Sequence, residues 1–504
     1  WVMRRFRVAA GTAFALSTMW GLLPRLTEAT AWVAGRTDVL ATSFVLAALL
    51  VYRPHRVRRV VIASALVAVG LFAKEVALAG CVALVAMEVA RKRWALASIP
   101  MVVAASFLIL RRAVLGPRVD LSYMLPPGDH ITLAAVGEYT RMLLVPWRPE
   151  LQIGLIEAPS RAMAAVGALA LLGLTAFAYA RRDLWLRSRQ NVQPLVLLGS
   201  AIATSALAAV LHVIPLALNV VAADRFLYLP TVGLTLALAP CIEMVRMRRM
   251  AKGVIAAALS ASLFVATFVR VGDWCDEVEL WAKACRTAPR GDALPLNELG
   301  NVYFRAGLFE RALPIYGRAL PNVAASVNYG STLDQLGRYD EAVVEVEMLC
   351  AAHPKLADNC LTAALVEMHQ LRFADARAHV RIALDRTHGE YPAATQMLST
   401  IARAESAVAA PARNPVDAFG QAITLGRRVD ALHAGEIILA DRQAPRAARR
   451  EAAEYWARFG PPLELGRLLR AENADVVDAP MLQAIALRAT TATKLEAKWA
   501  TLGF

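Results

Sequence analysis

The sequence predicts an all-α protein in two parts, a polytopic membrane helix bundle over residues 1–271 and a solenoid of stacked helix pairs over residues 272–504. Hydrophobic residues make up 57% of the 504 residues, and the mean hydropathy of +0.45 is higher than that of ordinary soluble proteins. The apolar runs are concentrated before Val271, and the remainder is polar and helix-prone. Clusters of basic residues separate the apolar runs, and a pattern of small and large residues recurs in the second part.

Nine apolar runs fit membrane-spanning helices. They lie near residues 8–23, 39–52, 60–73, 76–90, 94–110, 162–180, 194–217, 226–245 and 252–270. Several are shorter than the ~20 residues that cross a bilayer, so flanking residues must complete them. We interpret another apolar segment, Ile131–Pro146, as an interfacial or re-entrant helix, because a crossing there would move the following basic clusters to the opposite side.

The net charge of +14 comes from five short loops and not from one basic face. These loops hold 18 basic residues and one acidic residue, Asp183, and they begin at Arg4, Arg53, Arg91, Arg181 and Arg246. If all nine runs cross, every cluster lies on the same side of the membrane, as the positive-inside rule requires. The amino end is then cytoplasmic, in a bacterial inner membrane, and residues after Val271 are extracytoplasmic. A nucleic-acid partner is excluded because the positive charge is topological.

The polar part contains helical repeats. The first repeat has Leu299, Gly300, Tyr303, Gly307, Ala312, Tyr316 and Ala319. The second repeat has Tyr329, Gly330, Leu333, Gly337, Ala342, Val346 and Pro354. This pattern is typical of tetratricopeptide (TPR) repeats, whose usual period is ~34 residues. We predict TPR repeats over 272–388 and degenerate, TPR-like helix pairs over 389–504. Such an array offers a concave face to a protein or peptide, or serves only as a spacer.

Charged residues lie at the ends of apolar runs on the predicted outer face. Glu28, Arg36 and Asp38 follow the first run, and two adjacent pairs, Lys74–Glu75 and Asp224–Arg225, follow later ones. Ionisable groups at a bilayer boundary are costly unless they are paired, hydrated or used. Each adjacent pair by itself fits a local ion pair that closes a helix end as well as it fits a site. Their convergence on one face favours a shared cleft lined by Glu28, Arg36, Lys74, Asp224 and Arg225.

Four segments in this order resemble a known family. They are WGLLPRLTEATAWVAGRTDVL at 20–40, LFAKEVALA at 71–79, AADRFLYLPTVG at 222–233 and RVGDWCDEVELWAKACRTAP at 270–289. The chain is similar here to the transmembrane, TPR-containing protein O-mannosyltransferases and their bacterial relatives, which have the GT-C membrane fold. Leu23 stands where the family has the histidine before the proline, and the family's second histidine is either Leu26 here or absent.

The resemblance implies transfer of a sugar from a polyprenyl-phosphate carrier to a protein or other acceptor on the extracytoplasmic face. It implies Arg36, Lys74 and Arg225 as phosphate partners, with Glu28, Asp38, Glu75, Asp224 and Tyr228 as orienting or supporting residues. Membrane lipid and the lipid-linked sugar would be its ligands, and no bound cofactor or metal is expected. Family members have two further spans ahead of this region, with the catalytic acid in the loop between them. We therefore expect an amino-terminal part before Trp1 and name no catalytic base.

Two other functions remain open. A non-catalytic membrane scaffold would use the TPR array to recruit partners, and the sequence upstream of Trp1 would distinguish it from an enzyme. A transporter is less favoured, because no inverted repeat or pair of broken spans stands out.

Cys350 and Cys360 flank a chain reversal at His353-Pro354. They either form a disulfide in an oxidising compartment or are two small packing residues.

Overall fold

The computed structural model describes residues 1–53, 56–115, 131–147, 151–154, 162–169, 193–211, 220–288, 291–353, 356–469 and 473–502. Helices dominate these residues, which form two compact units. The first unit comprises residues 1–276 and 287–292, and the second comprises residues 277–286 and 293–504.

The first unit is a bundle of apolar helices. They are α1 (Val2–Arg5), α2 (Ala10–Gly21), α3 (Thr27–Ala31), α4 (Arg36–Val51), α5 (Val57–Ala73), α6 (Leu78–Val89), α7 (Trp94–Leu115), α8 (Ile131–Leu144), α9 (162–169), α10 (Gln193–Ala208), α11 (Tyr228–Met244) and α12 (Arg249–Asp273). Single turns of 3-10 helix occupy Pro24–Leu26, Val33–Gly35, Glu75–Ala77 and Asp224–Leu227. Each turn directly precedes an α-helix, so the chain re-enters a helix at each of these points.

Four helical segments among the described residues are long and apolar enough to cross a membrane, which identifies a membrane protein. They are Val33–Val51, Trp94–Val114, Asp224–Met244 and Arg249–Asp273. Large apolar side chains on α7 and α12 are exposed, including Ile109 and Phe268, as expected of surfaces that contact lipid. The other predicted runs coincide with the shorter helices α2, α5, α6 and α10, or extend beyond the described residues. The count of nine spans stays a prediction.

Close backbone approach holds two of the helices together. A Cβ atom on Gly199 of α10 would lie 2.5 Å from the backbone nitrogen of Ala237 in α11. A Cβ atom on Gly233 would lie 2.6 Å from the nitrogen of Ala203. Small residues at such crossings let membrane helices pack on each other's backbones.

Two short strands were not predicted from the sequence. β1 (Gln152–Gly154) and β2 (Val220–Ala223) pair antiparallel, with Ile153 opposite Ala222. Strands this short carry too few residues for a recognisable alternation. β2 continues directly into the turn Asp224–Leu227, and it thereby places Asp224 and Arg225.

The second unit is a succession of helix pairs. Its helices are α13 (Glu277–Thr287), α14 (Leu294–Arg305), α15 (Phe309–Ala319), α16 (Val323–Gln335), α17 (Tyr339–Ala352), α18 (Ala357–His369), α19 (Phe373–Arg386), α20 (Pro392–Val408), α21 (Pro415–Leu425), α22 (Arg428–Ala440), α23 (Arg446–Phe459) and α24 (Ala479–Leu502). α14 packs on α15, α16 on α17 and α18 on α19, while α14, α16 and α18 also contact one another in sequence. A disulfide joins Cys350 at the end of α17 to Cys360 in α18, with Cα atoms 4.7 Å apart.

Candidate functional site

The charged residues of the first unit lie where helices begin or end. Glu28 is in the first turn of α3, Asp38 is in the first turn of α4, and Lys74 follows the last residue of α5. Asp224 and Arg225 occupy the turn between β2 and α11. Helix ends leave backbone groups without intrahelical partners, so polar side chains are accommodated there at a lower cost than within a span.

Glu28 and Arg225 form a double contact across 197 residues of sequence. The backbone nitrogen of Arg225 donates to Oε2 of Glu28 at 2.8 Å, and its Nη1 donates to Oε1 at 2.9 Å. Burial raises the pKa of Glu28 above its usual value, and the Arg225 charge opposes that shift. Because Glu28 is only 3% exposed, the pair fixes the turn before α11 against α3.

Lys74 and Asp38 form a second pair, with Nζ of Lys74 2.5 Å from Oδ2 of Asp38. The ring of Phe226 joins the two pairs, since its centroid lies 4.8 Å from Cζ of Arg225 and 6.0 Å from Nζ of Lys74. Arg225 also lies over Trp32 at 5.5 Å. Aromatic faces attract cations at these distances. Two cations and two carboxylates are therefore gathered around one aromatic side chain.

Asp224 pairs with Arg25, which sequence reasoning did not select as a site residue. Both side chains are buried, and Nη2 of Arg25 also donates to the carbonyl oxygen of Val145 at 2.9 Å. The other oxygen of Asp224, Oδ2, has no hydrogen-bond partner among the described residues. Lys74 and Asp224 thus form ion pairs with distant segments of the chain. The local interpretation, in which each residue pairs with its sequence neighbour Glu75 or Arg225, therefore does not hold.

Arg270 is a further buried cation that sequence reasoning missed. It lies in the last turn of α12, and its Nη1 is 3.1 Å from Oδ2 of Asp273. Its helix, α12, packs against the turn Pro24–Leu26 and against α3, which contains Glu28, so Arg270 lies beside this cluster. An arginine at the end of a long apolar run was the signal that could have found it.

The remaining predicted residues lie at the margin of the cluster. Tyr228 is buried, and its ring packs edge-on against Trp20 at 5.4 Å. Trp20 donates its indole N–H to Oγ1 of Thr231 at 3.0 Å. Arg36 and Glu75 are exposed, and the described residues include no hydrogen-bond or ion-pair partner of either. The structure brings Glu28, Arg225, Asp38, Lys74 and Asp224 together and leaves Arg36 and Glu75 accessible to solvent or ligand.

This arrangement has three chemical capacities. Its cations can bind or neutralise an anionic group, its carboxylates can orient a hydroxyl group or accept a proton, and its aromatic rings can contact an apolar or sugar surface. Among the described residues, no group of three or more histidine, cysteine or acidic side chains is placed to hold a metal ion.

The second unit carries a separate polar network on its first helices. Nδ2 of Asn328 in α16 donates to Oδ1 of Asn297 at 2.8 Å and to Oδ1 of Asn301 at 3.1 Å. The hydroxyl of Tyr316 also donates to Asn301, at 2.7 Å. These amides and the tyrosine hydroxyl join α14, α15 and α16.

Comparison of the chain with models of protein families, with curated proteins and with solved structures found no match in any of the three.

Proposed function

We propose that the chain is an integral membrane glycosyltransferase of the GT-C type. It transfers a sugar from a polyprenyl-phosphate carrier to a protein or other acceptor on the extracytoplasmic face. The observation that carries the proposal is the cluster in which Glu28–Arg225 and Asp38–Lys74 meet around Phe226. Four separate segments of a membrane protein converge there, and such convergence of ionisable groups marks functional sites.

The chemistry of sugar transfer from a lipid phosphate matches this cluster. The bond between the sugar and the phosphate breaks, so negative charge develops on the departing phosphate. Arg36, Lys74 and Arg225 supply cations for that charge, and the buried carboxylates hold Lys74 and Arg225 in place before the reaction. The proposal gives Glu75, Asp224 and Tyr228 orienting or supporting roles, as the resemblance implies. We assign no catalytic base among the residues of this cluster.

The proposed topology puts the cluster and the second unit on one side of a nine-span bundle. The five basic clusters define the cytoplasmic side. The Cys350–Cys360 disulfide supports an oxidising compartment for the second unit, such as the periplasm. In this proposal the helix pairs from α14 onward form a TPR solenoid whose concave face binds an acceptor protein or another partner.

A second candidate function is a membrane scaffold without activity. It is favoured by the ion pairs themselves, since Glu28, Asp38 and Lys74 already have partners of opposite charge and need no ligand to be satisfied. The second unit alone would then carry the function.

A turnover assay separates the two candidates. The protein encoded by the complete gene, including any residues that precede Trp1, is placed in lipid nanodiscs and supplied with a labelled polyprenyl-phosphate sugar and a membrane-protein extract as acceptor. The release of polyprenyl phosphate is measured. The enzyme proposal expects release by the wild type and a decrease of about tenfold or more in Arg36→Gln, where an exposed phosphate ligand is lost.

Arg58→Gln is the matched control, because Arg36 and Arg58 are both exposed arginines in the first turn of a helix, α4 and α5 respectively. It should leave turnover unchanged. No release by the wild type, in the presence of each of several sugars, would favour the scaffold.

A further inference from the structure

The structure assigns Arg270 as the residue that binds the phosphate oxygens of the lipid-linked donor, with its Nε–H and Nη2–H groups as hydrogen-bond donors. This inference rests on the proposed glycosyltransferase function and names the phosphate ligand within it.

The first argument is the state of the guanidinium group. Arg270 is 4% exposed, and only its Nη1 has a carboxylate partner, Asp273. Its Nε and Nη2 atoms are buried and have no hydrogen-bond acceptor among the described residues. A buried donor on a charged group is costly when it is left without an acceptor. An acceptor from outside the chain removes that cost.

The second argument is the identity of the unmatched donors. The Nε–H and Nη2–H groups of a guanidinium lie on one edge and point in the same direction, which fits two oxygens of a phosphate. Nη1 remains with Asp273, so the carboxylate fixes the other edge of the fork. The ring of Trp274, 5.8 Å from Cζ of Arg270, restricts the side chain further.

The third argument is position. α12 packs against the turn Pro24–Leu26 and against α3, which contains Glu28. The Arg270 charge acts on Glu28 and on Asp224, the two carboxylates whose partners are Arg225 and Arg25. A phosphate held by Arg270 therefore sits beside the cluster that the proposed function uses. Thr267, one turn earlier, donates to the carbonyl oxygen of Leu22 at 2.6 Å and anchors α12 at this place.

The test measures binding to the full chain in lipid nanodiscs, with undecaprenyl phosphate and inorganic phosphate as separate probes. Arg270→Lys keeps the charge and can keep the contact with Asp273, but it lacks the two-donor edge. We expect the dissociation constant for undecaprenyl phosphate to rise about tenfold or more in Arg270→Lys and in Arg270→Gln. Arg249→Gln, an exposed arginine at the other end of the same helix, is the control and should bind as the wild type does.

A second variant separates ligand binding from a structural role. Asp273→Asn removes the carboxylate of the internal ion pair and leaves the donors of Arg270 in place. Phosphate binding predicts that Asp273→Asn retains the probe while the Arg270 variants lose it. If Asp273→Asn loses it to the same extent, Arg270 acts only through its ion pair and the inference is overturned.

The remaining outcomes distinguish this inference from the proposed function. Equal affinity of the wild type and both Arg270 variants for undecaprenyl phosphate overturns the inference and leaves the proposed function standing. Binding of inorganic phosphate that depends on Arg270, without binding of the lipid, supports the anion site and counts against a lipid-linked donor. If the wild type binds neither probe, the inference is overturned.

Discussion

A buried ion pair in a membrane protein stabilises the contact between two segments only while both charged side chains are present. Glu28 and Arg225 illustrate the point, because each is largely buried and each satisfies the other through two hydrogen bonds. Removing one partner leaves the other buried charge without this ion pair, whereas removing both removes the two charges together. For stability, whether each buried charge has a partner therefore matters more than how many charges are present.

The first prediction follows from that asymmetry. Glu28→Ala and Arg225→Met should each lower the free energy of unfolding by about 3–5 kcal/mol, and the double variant should lose much less than their sum. The measurement is thermal unfolding of the full chain in detergent, analysed as a double-mutant cycle. The exposed pair Arg286–Glu279 provides the control cycle, with an expected coupling of about 0–1 kcal/mol. Additive losses at Glu28 and Arg225 would contradict the contact described above.

The second prediction concerns pH and the second unit. Nδ1 of His379 lies 2.9 Å from Oε2 of the buried Glu367, and this hydrogen bond raises the pKa of His379. Burial also raises the pKa of Glu367. Each shift contributes stability that is present below the unfolded-state pKa and is lost as the pH rises through the higher folded-state pKa. Stability should therefore fall with increasing pH, mainly above about pH 6.5, by at most about 1 kcal/mol for the histidine.

Hydrogen exchange of the full chain tests this locally. Peptides from α18 and α19 should be protected more strongly at about pH 5.5 than at about pH 8.5, after correction for intrinsic exchange. His379→Gln should reduce the difference. An undiminished difference in that variant would assign the pH dependence to other groups.

Two helix pairs in the second unit pack closely because a glycine, which has no side chain, lies at the contact. A Cβ atom on Gly300 of α14 would lie 2.5 Å from Cε1 of Tyr316 in α15, and one on Gly330 would lie 2.7 Å from Cγ1 of Val346 in α17. The two glycines therefore set the same close contact in successive pairs. The turn inside each pair also requires a left-handed residue, which is Gly307 in the first pair, Gly337 in the second and Leu371 in the third.

The third prediction uses the close contacts. Gly300→Ala should destabilise the second unit by about 1–3 kcal/mol, because the added methyl group must displace the Tyr316 ring. Gly420→Ala in α21 is the matched control, since no atom lies within 4 Å of its added Cβ. That change should stabilise the unit by about 0.5–1 kcal/mol through helix propensity. Equal effects of the two substitutions in thermal unfolding would contradict the packing of α14 on α15.

The fourth prediction uses the turn of the third pair. Leu371 has a φ of 63°, a conformation that costs a residue with a side chain about 1–2 kcal/mol. Its side chain is exposed, so little packing is lost on truncation. Leu371→Gly should raise the unfolding temperature. Gly389→Ala, at a φ of 79° with open space around it, is the reciprocal change and should lower that temperature.

The whole molecule combines an apolar bundle with a polar helical array, and each has its own source of stability. The bundle exposes large apolar side chains, whose contact with water is unfavourable. The array instead buries its apolar side chains between successive helices. Among the described residues, the disulfide Cys350–Cys360 lies in the array. These features require a membrane for the first unit and permit an oxidising compartment for the second.

The fifth prediction is the topology. Reporter fusions after Arg189 and after Phe504 should report the cytoplasm and the extracytoplasmic side, respectively. Mass spectrometry without reductant should find Cys350 and Cys360 joined, because a disulfide persists on that side. A Phe504 fusion active only as a cytoplasmic reporter, together with alkylated thiols at both cysteines, would reject the proposed orientation.

Sequence reasoning located most of the candidate site because charges at the ends of apolar runs are conspicuous. Glu28, Asp38, Lys74, Asp224 and Arg225 were all selected on that basis, and the structure places them in one cluster. Arg25, which lies in the same charged loop as Glu28, and Arg270 were not selected as site residues, although both are arginines at the ends of apolar runs. The short strands β1 and β2 were missed because pairing between residues far apart in sequence leaves no local pattern.

The sequence by itself determined the helical character of the chain, its membrane-compatible helices and the boundaries at which charge accumulates. These properties depend on local composition and on the cost of exposing apolar or charged groups. Only the tertiary structure decided the partners, placing Glu28 with Arg225, Asp38 with Lys74 and Asp224 with Arg25. The physical reason is that a charge can be neutralised by any nearby opposite charge. Which one is nearby depends on how helices cross, at contacts such as Gly199 against Gly233.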